Sequence, residues 1–243
     1  MQRAIGITAS VEARPSAFPV EPARTAVIVI DMQNDFGAPG GMFDTAGIDI
    51  SGIRAVVPTT SRVVETARRE GITVVYLKMA FSADLSDAGA PHSPNWIKHL
   101  GLRAGEETTA PDGSPSRILI RDCWNTDILE ELAPEPDDVV LYKHRFSGFF
   151  QTALDQTLRD RGIDTLVFTG CTTSVCVEST FRDAMFRDYR CLLLEDCTAE
   201  PIGAGLPRGN HEASLMVLEI LFGWIATSAS FLAAIQTPAT VAV

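Results

Sequence analysis

The stretch TGCTTSVCVEST, residues 169–180, decides how this chain is read. It begins where the apolar run DTLVFTG (164–170) ends, and it carries two cysteines, Cys171 and Cys176, five residues apart. A continuous β-branched run that stops at a glycine reads as a strand buried on both faces of a parallel sheet. Four more runs have the same format: TAVIVIDM (25–32), GITVVYLKM (71–79), DDVVLYK (137–143) and YRCLLLED (189–196). Helical patterns lie between them. Residues 53–70 read as a helix interrupted near Pro58. Residues 152–161 place Leu154 and Leu158 at i and i+4, and Gly162 suits a stop. Residues 174–188 and 210–223 read as two more. Strands alternating with helices imply crossover connections and a doubly wound parallel sheet.

Three reactive groups fall at the carboxyl ends of such runs, where an open parallel sheet binds ligands. Asp31 follows AVIVI, Lys143 follows VVLY, and Cys176 follows LVFTG after a short turn, at the expected start of the next helix. An acid, an amine and a thiol from three strands are what a nucleophilic amidase needs. A helix N-terminus and a nearby ammonium both favour the thiolate. Asp31 can take the thiol proton and return it to a departing amine. Backbone N–H groups of the turn before Cys176 can form an oxyanion hole. The plain alternatives are a capping Asp, a solvated Lys and a core Cys. Spacing alone leaves the two readings balanced.

Composition bounds the rest. The 243 residues suffice for one well-buried domain. A formal net charge of −11 argues against nucleic acid or an anionic membrane as partner. No run approaches the ~20 apolar residues of a membrane span. Five cysteines, with no C-x-x-C pair, suit a reducing cytoplasm better than a disulfide scaffold, and the four histidines are scattered. No metal and no cofactor are expected. Residues 1–24, with three prolines, read as an extended N-terminal arm; 25–235 read as one hydrolase domain; 80–125 read as a substrate loop or cap; and 236–243 read as a flexible tail.

The segments VIVIDMQNDF (27–36), LYKHRFSGF (141–149) and TGCTTSVCVESTFRDA (169–184) resemble, in order and separation, the isochorismatase-like cysteine hydrolases. The resemblance covers about residues 25–235. It implies a Rossmann-like three-layer α/β/α fold with a six-stranded parallel sheet. It implies Cys176 as nucleophile, Asp31 as general base and Lys143 as their electrostatic partner. It also implies a cis peptide bond between Cys171 and Thr172, which would set the N–H groups of Thr172 and Cys176 at an oxyanion. A homo-oligomer, dimer or tetramer, is implied as well.

Other segments are similar to ureidoacrylate amidohydrolases (GGMFDTAGIDIS, DAGAPHSPNW, KHRFSGFFQTALD, FGWIAT) and to biuret amidohydrolases (ADLSD, CLLLEDCTA). The implied activity is hydrolysis of a carbon–nitrogen bond in a small ureido or carbamoyl amide. Other small amides, of nicotinamide or N-carbamoyl amino acid type, and vinyl-ether hydrolysis are the alternatives within the family. A non-catalytic Rossmann-like binding protein is the alternative outside it, although DMQNDFGAPGG has no G-x-G-x-x-G. Gln33, Phe36, Met79, Phe81, Asn95, Trp96, Arg145 and Phe146 are candidate substrate contacts, with Arg145 able to pair a carboxylate. Met79 and Phe146 stand where the ureidoacrylate likeness implies a polar residue and an aromatic hydroxyl, and both changes favour a bulkier or less polar amide.

Overall fold

In the computed structural model, which describes residues 8–203 and 209–236, all five apolar runs fold as strands. They are β1 (Thr25–Ile30), β2 (Thr73–Met79), β3 (Val139–Lys143), β4 (Thr165–Cys171) and β5 (Arg190–Ala199). A sixth, β6 (Trp224–Ala226), is too short to announce itself as an apolar run. All neighbours are parallel, in the order β6-β5-β4-β1-β2-β3. The order reverses between β1 and β4, and it is there that a doubly wound sheet opens a crevice beyond its carboxyl edge.

Strand alternation divides the core into two layers. On one face Val27, Val29, Tyr76, Val167 and Leu192 meet α1 (Ser51–Arg69) and α6 (Ser228–Gln236) through Ile53, Val57, Val64, Phe231 and Ile235. On the other, Ile28, Ile30, Leu77, Phe168 and Leu193 meet α3 (Leu154–Asp160), α4 (Glu178–Met185) and α5 (Asn210–Leu221) through Leu154, Leu158, Phe181 and Leu218. Helix α2 (Pro94–Gly101) stands apart, in the connection from β2 to β3. No helix among the described residues is long and apolar enough to cross a membrane.

Four local expectations need correction or completion. Helix α1 is not interrupted: Pro58 lies inside it on the exposed side. One lost backbone bond is outweighed there by the buried stripe from Ile53 to Ala67. The N-terminal segment is not simply extended. From residue 8 it forms an antiparallel hairpin, Ala9–Val11 with Phe18–Val20. Val11, Phe18 and Val20 are fully buried, and Phe18 packs on Trp224 with ring centroids 5.2 Å apart. Arg14 exchanges both backbone hydrogen bonds with Ile225, so the hairpin covers the β6 edge of the sheet. Its residues 1–7, and the tail beyond Gln236, lie outside the described residues. Third, the segment 80–125 has structure of its own, with α2 and a small hairpin, Glu107–Thr109 with Pro115–Arg117.

The fourth concerns the opening stretch. β4 passes into a π-helical turn, Thr173–Val177, before α4 begins at Glu178. Cys176 therefore sits within a widened turn rather than at the first residue of an α-helix, a placement common at functional sites. Gly170, at φ +114°, makes the approach to this turn possible. A Cβ there would overlap the Ile30 carbonyl oxygen and stand 2.7 Å from the Ile30 nitrogen. Backbone strain of ~1–3 kcal/mol would add to that overlap. Gly170→Ala is expected to lower the melting temperature by at least about 6 °C, at ~2–4 °C per kcal/mol for a chain of this size. A melt within 2 °C of wild type would refute this account of the β1–β4 junction.

Candidate active site

Asp31 leaves β1 at φ +53°, a left-handed conformation uncommon for a non-glycine residue. Its backbone is fixed on both sides. Its N–H donates to Leu77 O at 2.9 Å, and the Cys171 thiol donates to its carbonyl at 3.2 Å. The Cys171 thiol thus helps hold Asp31. The bond from Cys171 to Thr172 is cis.

Register brings the strand ends together. Ile30 lies opposite Leu77 and Gly170, and Met79 lies opposite Lys143. The Lys143 side chain crosses the end of β2 and places Nζ 2.8 Å from Asp31 Oδ2. The ammonium also approaches Arg145 O at 3.3 Å and Met79 Sδ at 3.6 Å. Both members of this ion pair are buried. The groups that face the Asp31 carboxylate are the Lys143 ammonium, the Cys176 thiol and the Met79 N–H.

The electrostatics follow from burial. Desolvation pushes the Asp31 carboxyl above its ordinary range, with the Lys143 ammonium working against that rise. Burial alone would lower Lys143, but the Asp31 carboxylate and the Cys176 sulfur outweigh it, and its pKa is raised. The Cys176 thiol is pushed up, by burial first and then by the Asp31 charge, with Lys143 pulling the other way. Burial thus opposes the thiolate that the turn and the ammonium favour. The buried thiol keeps its proton until something takes it, and the Asp31 carboxylate is the group placed to do so.

Above these three residues opens a cavity of about 450 Å³. Asp31, Cys171, Thr172 and Cys176 line its floor, and Phe36, Phe43, Ile48, Met79, Leu119, Phe146, Val175 and Ile202 line its walls. Lys98, His99 and Leu102, from α2 and the turn after it, complete the lining. Of the candidate contacts, Phe36, Met79 and Phe146 reach this cavity. The others do not line it. Gln33 clamps the end of β2, donating to Met79 O and accepting from Met79 N at 2.9 and 2.8 Å. Phe81 is buried against His99. Asn95 donates to Ala88 O, Trp96 packs on the core, and Arg145 is spent on the carbonyls of Asp87 and His144.

Sequence reading missed Lys98 and His99, whose aim depends on how α2 packs. It also missed Asp35. That carboxylate accepts from Met42 N, Leu119 N and Asn125 Nδ2 at 3.2, 2.7 and 2.6 Å, tying the cavity wall to the segment after β1. Burial pushes its pKa up to about 6 against those three donors. A run of polar residues beginning at Gln33, directly after a buried strand, was the available signal. On the far side, Glu200 accepts from the N–H groups of Ser174 and Ile202, at 2.8 and 2.9 Å, and so fixes Ile202 over the turn that carries Cys176.

The Isochorismatase domain model matches residues 25–230. The ureidoacrylate amidohydrolase RutB of Caulobacter segnis is 44% identical over 219 residues, spanning 90% of this chain and 89% of that protein. RutB of Methylobacterium radiotolerans is 41% identical over 226 residues, spanning 93% and 85%. Among solved structures, a cysteine hydrolase from Pseudomonas syringae superposes with a TM-score of 0.75 at 30% identity, covering 90% of this chain and 95% of that one. The N-carbamoylsarcosine amidase of Thermoplasma acidophilum superposes at 0.60 with 26% identity, covering 84% and 96%.

Proposed function

The chain belongs to the isochorismatase family, and from that membership we propose that it is a cysteine amidohydrolase of small ureido acids, with Cys176, Asp31 and Lys143 as its reacting groups. The observation that carries this reading is the buried ammonium–carboxylate pair beside the Cys176 thiol, at the floor of an apolar cavity on the switch point of the sheet.

Asp31 takes the Cys176 proton as the sulfur attacks the ureido carbonyl carbon. Lys143 then faces a neutral carboxyl and the negative charge that has moved toward the substrate. The N–H groups of Thr172 and Cys176, both residues at the cavity floor, would donate to the carbonyl oxygen as it becomes an oxyanion; one such donor is typically worth ~3 kcal/mol. The carbon–nitrogen bond breaks, Asp31 returns the proton to the leaving nitrogen, and a carbamoyl thioester remains on Cys176. Water, deprotonated by Asp31, attacks that carbonyl. The thiol regains its proton, and carbamate leaves to decompose to ammonia and carbon dioxide.

A ureido acid also brings a carboxylate. Arg145, the sequence candidate for it, does not line the cavity, and its Nη1 donates to two backbone carbonyls. The cavity-lining cation outside the reacting cluster is Lys98, which is exposed and makes no ion pair among the described residues. On a chain of net charge −11 a local cation is needed to hold an anionic substrate. Ammonia release should be measured from ureidoacrylate, biuret and nicotinamide. The ureido acid is expected to be the best substrate. Lys98→Gln is expected to raise its KM about tenfold and to leave kcat within threefold, because the ammonium binds ground state and transition state alike. Turnover of biuret alone would move the reading to that substrate, and no ammonia from any of the three would sink it.

A further inference from the structure

The proposed chemistry leaves one buried polar side chain of the cavity without a role. His99 is 3% exposed and lines the cavity from α2. Its Nδ1 lies 2.7 Å from Asn95 O. A carbonyl oxygen can only accept, so Nδ1 carries the hydrogen and Nε2 of the neutral ring is left as a lone-pair acceptor. The ring is held edge-on to Phe81 at 5.1 Å and tilted against Phe146 at 5.3 Å, so it has little freedom to turn. Burial lowers its pKa against the hydrogen bond to Asn95 O, and the Lys143 and Arg145 cations lower it further. His99 lines the open cavity, and its Nε2 is not among the buried side-chain atoms without a partner. A substrate that fills the cavity without offering a donor would leave that acceptor bare, at a cost. The acceptor repels an anion, and it gains nothing from an ether or ester oxygen.

We propose that His99 is a specificity-determining residue, whose Nε2 accepts a hydrogen bond from an N–H of the substrate and so selects ureido and amide groups over esters. This rests on the reading of the cavity as an amidohydrolase site and adds to it a group that sorts substrates. A ureido group suits the acceptor because it carries N–H on both sides of the carbonyl that Cys176 would attack. A site built to pair a donor rejects the analogue that lacks it, since its own acceptor is then left bare.

The test compares ureidoacrylate with 3-acetoxypropionate, a carboxylic acid of similar length whose cleaved group is an ester without N–H. In wild type the ureido acid is expected to have the higher kcat/KM. His99→Phe is expected to lower kcat/KM for ureidoacrylate ten- to a hundredfold while changing that for the ester less than threefold. His99→Gln, which keeps an acceptor oxygen, is expected to restore ureidoacrylate turnover to within about tenfold of wild type. Equal losses on both substrates in both variants would mean that His99 only supports the wall, and would overturn the assignment. Wild-type cleavage of the ester with no turnover of ureidoacrylate is a different failure. It would remove the amidohydrolase reading itself, and the role of His99 with it.

Discussion

Replacing Cys176 by alanine abolishes ammonia release from ureidoacrylate, with kcat/KM falling by at least about 10⁴-fold, the scale seen when a nucleophile is removed from a triad. The size of the effect follows from the sequence of bonds. Without Sγ no acyl intermediate forms, and the remaining Asp31 would have to activate water against an intact ureido carbonyl. The Asp31–Lys143 pair survives the substitution, so the fold should melt near the wild-type temperature and the loss should be one of chemistry. Cys176→Ser is the stricter variant. It keeps a hydroxyl in place of the thiol, but a hydroxyl is a far poorer nucleophile, and the site offers only one carboxylate to deprotonate it. Full activity in either variant would end the covalent mechanism. Turnover that survived the loss of Cys176 with a vinyl-ether substrate would instead favour the isochorismatase type of hydrolysis.

The second large effect concerns the ion pair. Lys143→Met leaves the Asp31 carboxylate buried with no counter-charge, and breaking such a pair typically costs ~3–5 kcal/mol. For a chain of this size that corresponds to a fall of roughly 6–20 °C in melting temperature. Activity should fall at least about 10³-fold, because a carboxyl already raised by burial rises further and holds its proton. The double variant Lys143→Met with Asp31→Asn removes both charges. It is expected to regain most of the lost stability and none of the activity. Thermal melts of the two single variants and the double variant form a cycle that isolates the coupling. Additive losses in the double variant would show that the two side chains act independently and would undo the argument.

These expectations draw on features of very different legibility. The placing of Asp31, Lys143 and Cys176 at strand ends was legible in the chain because each follows a continuous apolar run, and such runs are what strands buried on both faces look like; the family motifs around them supplied their roles. The ends of those strands must then share one edge of the sheet. The adjacency was legible; the 2.8 Å contact was not, because it depends on the Lys143 side chain reaching across the end of β2. The balance of influences on the thiol was only partly legible for a related reason. A helix start and a neighbouring ammonium are visible in sequence, but full burial beside a carboxylate is not, and burial is the larger influence. Strand β6 was missed as a run because three residues carry too little pattern, and the hairpin over it was missed because its burial comes from Trp224, far along the chain.

The parallel α/β architecture and the placing of Asp31, Lys143 and Cys176 at strand ends were legible in local apolar periodicity, whereas the roles proposed for these three groups came from the family resemblance of the motifs that hold them. The tertiary structure decided which side chains surround the substrate space. Arg145, Asn95 and Trp96 turn to the backbone and the core, while Lys98 and His99 line the cavity. The physical reason is that strand direction is written in short-range hydrophobic pattern, whereas the aim of a side chain in a long connection depends on packing against distant residues. The stretch TGCTTSVCVEST shows both sides of this. Its turn and its two cysteines were readable, but the division between a thiol that braces Asp31 and one that faces it arises only when β4 is laid against β1.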